Sequence, residues 1–342
     1  TWKNLAIAGA LATIWTAREW VACNLPYGGF PWSRVAQSLS DSFLASLTYY
    51  LGISGLTFLA VLATVLVMQL ISKQRPQLST LAALLLITAT ALGTSPPIAA
   101  ETGTLRVGAI QGNANAGLFS NVERGAILDN HIDETRVMLA ELEKNDLDLV
   151  VWPENASDLS PLSSDVAYRK IEQLVNEELG VPLAFGALTQ REGGTYNSSL
   201  FWLPNRGIVD IYDKKRPVPF AEYVPDRDFW YQLAPDLIGL ITWDYSFGTA
   251  DGIFELGENR LGALICFEIA IDDIGRELVA DEAELILSQT NNADFGRTDE
   301  SFQQAALARL RAIETGRWVV QVAPTGFSAF VGPDGELHSR TA

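Results

Sequence analysis

Residues 53–71 form an uncharged run of nineteen residues, mostly Leu, Val, Ala and Phe, and a second uncharged run follows at 78–100. No other feature restricts the fold as strongly. At about 1.5 Å of rise per residue, the first run as a helix nearly covers a hydrocarbon core of about 30 Å. The second has its apolar heart at 81–92, before Pro96-Pro97, which cannot continue a helix. A shorter apolar stretch occupies 5–15. One such run could still be the buried core helix of a soluble protein, but two in tandem favour membrane spans at about 5–23, 53–71 and 79–95. The linker between the two runs, Ser72-Lys73-Gln74-Arg75-Pro76-Gln77, is short and basic, which predicts that it lies on the cytoplasmic side and that residues beyond 100 lie outside.

Charge divides the chain at the same place. Residues 1–100 carry five Lys/Arg and two Asp/Glu, a net of +3, so −20 of an overall −17 falls on the remainder. Such an acidic domain argues, through bulk electrostatics, against nucleic acid or anionic lipid headgroups as partners. Two cysteines and two histidines, Cys23, Cys266, His131 and His338, give no case for a disulfide framework or a metal site, and no cofactor is expected. The chain opens on Thr1 and has no cleavable signal pattern, so it reads as a fragment. The division expected is 1–100, a partial transmembrane helical region, and 101–342, an extracytoplasmic catalytic domain, with the boundary at 94–104 rich in Pro and small residues.

Beyond residue 100, short apolar strands alternate with amphipathic helices, predicting an α/β domain. Strands are expected at 105–111, 147–152, 182–188, 198–203, 207–212, 262–266, 285–289 and 318–323, and helices at 121–145, 167–179 and 302–315.

Three predicted strand ends carry reactive side chains: Glu154 after Val151-Trp152-Pro153, Lys214 after Tyr212-Asp213, and Cys266 after Ala263-Leu264-Ile265. A strand that runs into a sharp turn fixes a sulfur where the next N–H groups can meet a developing oxyanion. A carboxylate in a partly apolar pocket can take the thiol proton, and an ammonium stabilises thiolate and oxyanion alike. Each residue alone has a plain structural reading: a loop cap, a solvated basic turn, and a space-filling thiol.

Trp152-Pro153-Glu154, the stretch from Lys214 through Val218-Pro219-Phe220-Ala221-Glu222-Tyr223-Val224-Pro225, and Ile265-Cys266-Phe267-Glu268 together resemble the nitrilase superfamily. Within it, the chain is most similar to the bacterial apolipoprotein N-acyltransferases. The likeness extends to Gly28-Gly29-Phe30-Pro31-Trp32, Gln111-Gly112-Asn113, the segment from Arg309 to Arg317, and Thr325-Gly326-Phe327-Ser328-Ala329. It implies a nitrilase-like αββα sandwich preceded by transmembrane α-helices, in the bacterial inner membrane, with a final membrane helix missing here.

The resemblance also assigns roles: Glu154 as general base, Lys214 as electrostatic stabiliser and Cys266 as nucleophile, with Glu222, Phe267 and Glu268 in support. Lys214 is preferred to Lys215 because it stands eight residues before Glu222. The implied reaction moves an acyl chain from a phospholipid through a Cys266 thioester to the amine of a diacylglyceryl-cysteine lipoprotein, so both partners and the membrane are expected. A nitrilase-type amidase or carbamoyl hydrolase using water is the alternative, and a binding module is a third possibility. The sequence departs from the family at Phe267, commonly Tyr, at Ala221, often Gly, and across 288–296. Tyr27 to Trp32 is expected at the membrane interface, as a simple anchor or in a lipid-binding role, and Phe229, Trp230, Tyr231 and Leu233 are an expected apolar lid.

Overall fold

The structure, a computed structural model, describes residues 2–72, 78–96, 103–115, 123–142, 146–293, 295–296 and 298–341. Three helices come first: α1 (Trp2–Asn24), α2 (Thr48–Ile71) and α3 (Leu78–Gly93). Among the described residues, Ala45–Ile71 alone is long and apolar enough to cross a membrane, with a mean hydropathy of 2.3. α1 covers the expected first span but carries Lys3, Arg18 and Glu19, and α3 stops after 16 residues. Most of the basic linker, 73–77, and part of the expected boundary, 97–102, lie outside the described residues.

The later strands form two sheets. In the first, β1 (Val107–Ala109), β2 (Leu149–Val151) and β3 (Leu183–Arg191) run parallel, and β4 (Gly194–Leu203) and β5 (Gly207–Asp213) continue antiparallel. In the second, β7 (Asn259–Ile265), β8 (Leu285–Gln289) and β9 (Trp318–Val322) are parallel. β6 (Ile253–Leu256) pairs antiparallel with β7, and β10 (Ala329–Val331) and β11 (Leu337–Arg340) extend the other edge.

Buried side chains place the sheets face to face. Val151, Ala184, Phe201 and Tyr212 of the first sheet share a core with Phe254, Ala263, Leu287 and Val320 of the second. The opposite face of the first sheet packs on α4 (Ala126–Glu141) and α5 (Asp165–Gln173) through Leu128, Ile132 and Ile171. After β5 the chain forms two short helices, α6 (Arg227–Leu233) and α7 (Pro235–Ile238). α8 (Asp272–Ala280) and α9 (Glu300–Thr315) cover the second sheet through Ile274, Leu278, Leu307 and Ala308. The result is four layers in the order helix, sheet, sheet, helix, the arrangement expected of strands buried on both faces.

The N-terminal segment packs on α9. Ala36, Ile53 and Leu56 share a core with Leu310 and Ile313. Gly52 breaks α2 with φ 68°, and a Cβ there would stand 3.3 Å from Glu314 Oε1, so both its backbone and its contact suit glycine. Buried Arg34 pairs with Asp272 at 2.9 Å, and Arg311 pairs with the same Asp272 carboxylate at 3.1 Å and with Glu314.

Several expectations need correction. The strand expected at 262–266 ends at Ile265, because Cys266 adopts φ 49° and opens a turn. The helix expected at 167–179 starts at Asp165, stops at Gln173 and continues as a π turn, Leu174–Leu179. The helix expected at 121–145 spans Ala126–Glu141, and its outer residues 121–122 and 143–145 lie outside the described residues. β6, β10, β11 and α8 had no expectation; the three strands are only three or four residues long, too short for an alternating pattern to stand out.

Candidate active site

Cys266 follows β7 directly and opens the turn Cys266–Ala270. Its positive φ costs energy for a side chain with a Cβ, and such strain collects where a reactive group must project from an element's end. Glu268 holds the turn from inside. Its carboxylate accepts from Ile265 N at 2.9 Å, Lys215 N at 2.7 Å, Arg216 N at 3.1 Å and the Tyr212 hydroxyl at 3.0 Å. One buried side chain thereby ties the end of β7 to the chain leaving β5. Burial raises its pKa to about 7, against the donors that favour its charged form.

Glu154 follows β2, where the Trp152 carbonyl accepts from Gln289 Nε2 at 2.7 Å. Gly186 of β3 lies so close that a Cβ there would sit 2.6 Å from Glu154 Cα. Lys214 is fixed by the sheet, its N–H donating to Asn197 O at 2.8 Å. Its Nζ lies 3.4 Å from Glu154 Oε1 and 2.9 Å from Glu222. Lys215 points elsewhere and pairs with Glu277 at 2.8 Å.

Asn197 Nδ2 donates to both carboxylates, at 2.6 Å to Glu154 and 2.9 Å to Glu222. Val218 N donates to the second oxygen of Glu222 at 2.7 Å. Glu222 is therefore held by Asn197, Lys214 and the backbone of its own loop. Gln304 Nε2 approaches the Cys266 sulfur at 3.5 Å and its Oε1 accepts from Thr290 at 2.7 Å. The Thr290 side chain and the Asn291 N–H also reach the sulfur.

The structure thus gathers Glu154, Lys214, Cys266 and Glu222 around one part-buried thiol, with Glu268 braced behind it. Burial raises the Cys266 pKa to about 12, with the Glu154 charge acting in the same sense and Lys214 opposing it. Burial also raises the Glu154 pKa; Lys214 lowers it and Glu222 raises it further. For Lys214, burial disfavours the cation, but Glu222 and Glu154 outweigh it and the ammonium is retained. A neutral thiol, a buried base with a raised pKa and a fixed cation can carry out a nucleophilic attack with proton transfer to Glu154.

Phe267 does not face this cluster. Its ring stacks on Phe30 at 5.2 Å and on Trp32 at 6.4 Å, so the position commonly occupied by Tyr here serves to hold the N-terminal segment. Trp32 Nε1 also donates to Gln303 at 2.7 Å. The expected lid residues Phe229, Tyr231 and Leu233 are exposed on α6, while Trp230 Nε1 donates to the Tyr27 hydroxyl at 3.3 Å and the Tyr27 ring lies 6.0 Å from Phe220. Asp294 of the altered loop lies outside the described residues.

Sequence reasoning missed Asn197, Tyr212, Thr290 and Gln304. Asn197-Ser198-Ser199 was the available signal, a polar triplet inside a strand whose side chains are all buried. Nothing marked Gln304 among the polar positions of α9. Among the described residues, no group of three or more His, Cys, Asp or Glu side chains is arranged to hold a metal ion.

A sequence profile of the carbon-nitrogen hydrolases matches residues 106–341, and one of the apolipoprotein N-acyltransferase N-terminal domain matches 1–66. An apolipoprotein N-acyltransferase of Mycolicibacterium smegmatis is 33% identical over 71% of the chain, and one of Photobacterium profundum 28% identical over 95%. The chain spans 42% of the first and 63% of the second, less than two thirds of either. Among solved structures, an amidase from Nesterenkonia sp. matches with a TM-score of 0.51 at 16% identity, covering 72% of this chain and 89% of its own. Saccharomyces cerevisiae Nit3, of the nitrilase superfamily, matches with a TM-score of 0.52 at 15% identity, covering 69% and 85%. Both show the nitrilase fold.

Proposed function

The chain belongs to the carbon-nitrogen hydrolase family, on its apolipoprotein N-acyltransferase branch, and we propose that it moves an acyl chain from a phospholipid through a Cys266 thioester to the N-terminal amine of a diacylglyceryl-cysteine lipoprotein. The observation that carries this reading is the seating of the N-terminal segment, through Phe30, Trp32 and Arg34, on the turn and helices that hold the nucleophile. An amidase acting on small soluble amides has no use for such an attachment.

In the first step, Glu154 takes the thiol proton as the sulfur attacks the ester carbonyl. The Lys214 ammonium and the N–H groups of the turn offset the developing oxyanion charge. The carbon–oxygen bond then breaks, Glu154 returns the proton to the leaving glycerol oxygen, and a lysophospholipid departs. In the second step the amine attacks the thioester, Glu154 accepts its proton, and the sulfur leaves and is reprotonated. The product is an amide. Each exchange is easier than direct attack of an amine on an ester.

Both substrates carry acyl chains that stay in a bilayer, so the reading includes a protein anchored in the bacterial inner membrane with its α/β domain on the extracytoplasmic side. α2 supports this by its length and hydropathy. The division into a helical membrane region, 1–100, and a catalytic domain, 101–342, belongs to the same proposal. Mass spectrometry of the Cys266 peptide after exposure to phospholipid tests it. A fatty acyl adduct that passes to a diacylglyceryl peptide is expected in the native protein and not in Cys266→Ala. Release of free fatty acid or ammonia from small amides, with no N-acyl peptide, would assign water as the acceptor.

A further inference from the structure

A cavity of about 230 Å³ opens where the N-terminal segment meets the α/β domain, lined by Tyr27, Gly28, Gly29, Arg216, Tyr223 and Phe267 among others. Small-molecule sites usually run from about 300 to 1,000 Å³. The cavity is therefore too small for acyl chains and of a size for a polar headgroup fragment. Its lining contains one cation, Arg216, whose side chain is exposed. Among the described residues no carboxylate lies within ion-pair distance of this guanidinium, although the surrounding domain is strongly acidic. Its charge acts on the Tyr223 hydroxyl, which donates only a long 3.3 Å bond to Tyr27 O.

The cavity adjoins the turn that carries Cys266. Arg216 N and Ile265 N donate to the same Glu268 carboxylate, and the Phe267 wall is the residue next to Cys266. A glycerophospholipid holds its phosphodiester a short glycerol length from the ester under attack. We propose that this cavity binds the phosphodiester of the acyl donor, with Arg216 pairing to the phosphate oxygens and Tyr223 donating a hydrogen bond. Guanidinium matches phosphate in both charge and geometry. The residue sets donor specificity, and the site is complete only when Tyr27, Gly28 and Gly29 close it. This inference rests on the phospholipid-donor reading above.

The test is single-turnover acylation of Cys266, followed by intact-protein mass, with the protein in detergent micelles and either a diacyl phospholipid or a diacylglycerol of the same chains as donor. Arg216→Ala is expected to lower the phospholipid rate about 10- to 100-fold more than the diacylglycerol rate, chiefly through KM, with Arg216→Lys recovering part of the loss. A soluble glycerophosphodiester should slow acylation of the native protein by phospholipid, and do so less in Arg216→Ala. Equal losses with both donors, or none, overturn the proposal, as does inhibition by inorganic phosphate alone. Native protein that accepts diacylglycerol but not phospholipid would instead overturn the phospholipid-donor reading.

Discussion

Lys214 lies closer to Glu222, at 2.9 Å, than to Glu154, at 3.4 Å. The cation is thereby shared, and its stronger contact goes to the carboxylate that is itself fixed by Val218 N. Glu154 is left less tightly held and freer to accept a proton. Glu222→Gln should undo this. Removing a negative charge that raises the Glu154 pKa, and turning Lys214 toward Glu154, both lower that pKa. The acid limb of the acylation rate should move to lower pH while the maximum rate falls, which a pH profile of single-turnover acylation checks.

Glu154→Gln removes the proposed base. Acylation should slow by about 10²- to 10⁴-fold and lose its acid limb. In the native protein that limb should lie above the ordinary carboxylate range, because burial raises the Glu154 pKa. The thiol, pushed up to about 12, supplies no independent thiolate at neutral pH. Persistence of the limb in the variant would transfer the titration to another group.

Glu268→Gln should weaken the turn without touching the sulfur. A carboxamide has one acceptor oxygen for donors that now reach two, so one of Ile265 N, Lys215 N, Arg216 N or Tyr212 loses its partner. The expected loss is about 1–3 kcal/mol at pH 5. The Glu268 pKa is raised from 4.5 to about 7, so the native fold binds this proton more tightly than the unfolded chain does. That contribution is fully present below pH 4.5 and is lost as pH rises to 7. The advantage of native protein over the variant should shrink across this window in thermal unfolding.

Arg34→Ala cuts the ion pair that joins the N-terminal segment to α8. Asp272 keeps Arg311 as a partner, so the expected cost is about 1.5–3 kcal/mol, the range of a hydrogen bond to a charged group. Arg311 also donates to the Ile269 carbonyl in the turn that Cys266 opens, at 3.2 Å. A double-mutant cycle of Arg34→Ala with Asp272→Asn, read by thermal unfolding, should show non-additivity. Additive losses would mean that the pair is not coupled.

Much of the fold follows from local pattern. β8 matches its expected bounds at Leu285–Gln289, and β9 falls one residue short of its expected end, because continuous apolar runs bounded by polar turns have one economical solution in a buried parallel sheet. Glu154, Lys214 and Cys266 were identifiable as reactive types at strand ends. Their supports were not. Asn197 and Gln304 earn their places from contacts across 43 and 38 residues of sequence, and a polar side chain in a strand or helix says nothing of its distant partner.

The order of residues along this chain determined its alternating α/β pattern, its apolar N-terminal runs and the chemical types offered at three strand ends, since these depend on near neighbours and on the period of side-chain burial. Only the tertiary structure decided that Lys214 is shared between two carboxylates, that Phe267 faces Phe30 and Trp32, and that Glu268 clamps two segments at once. The reason is physical: charge coupling and desolvation fall off over a few ångströms, and it is the packing of the two sheets that sets those distances.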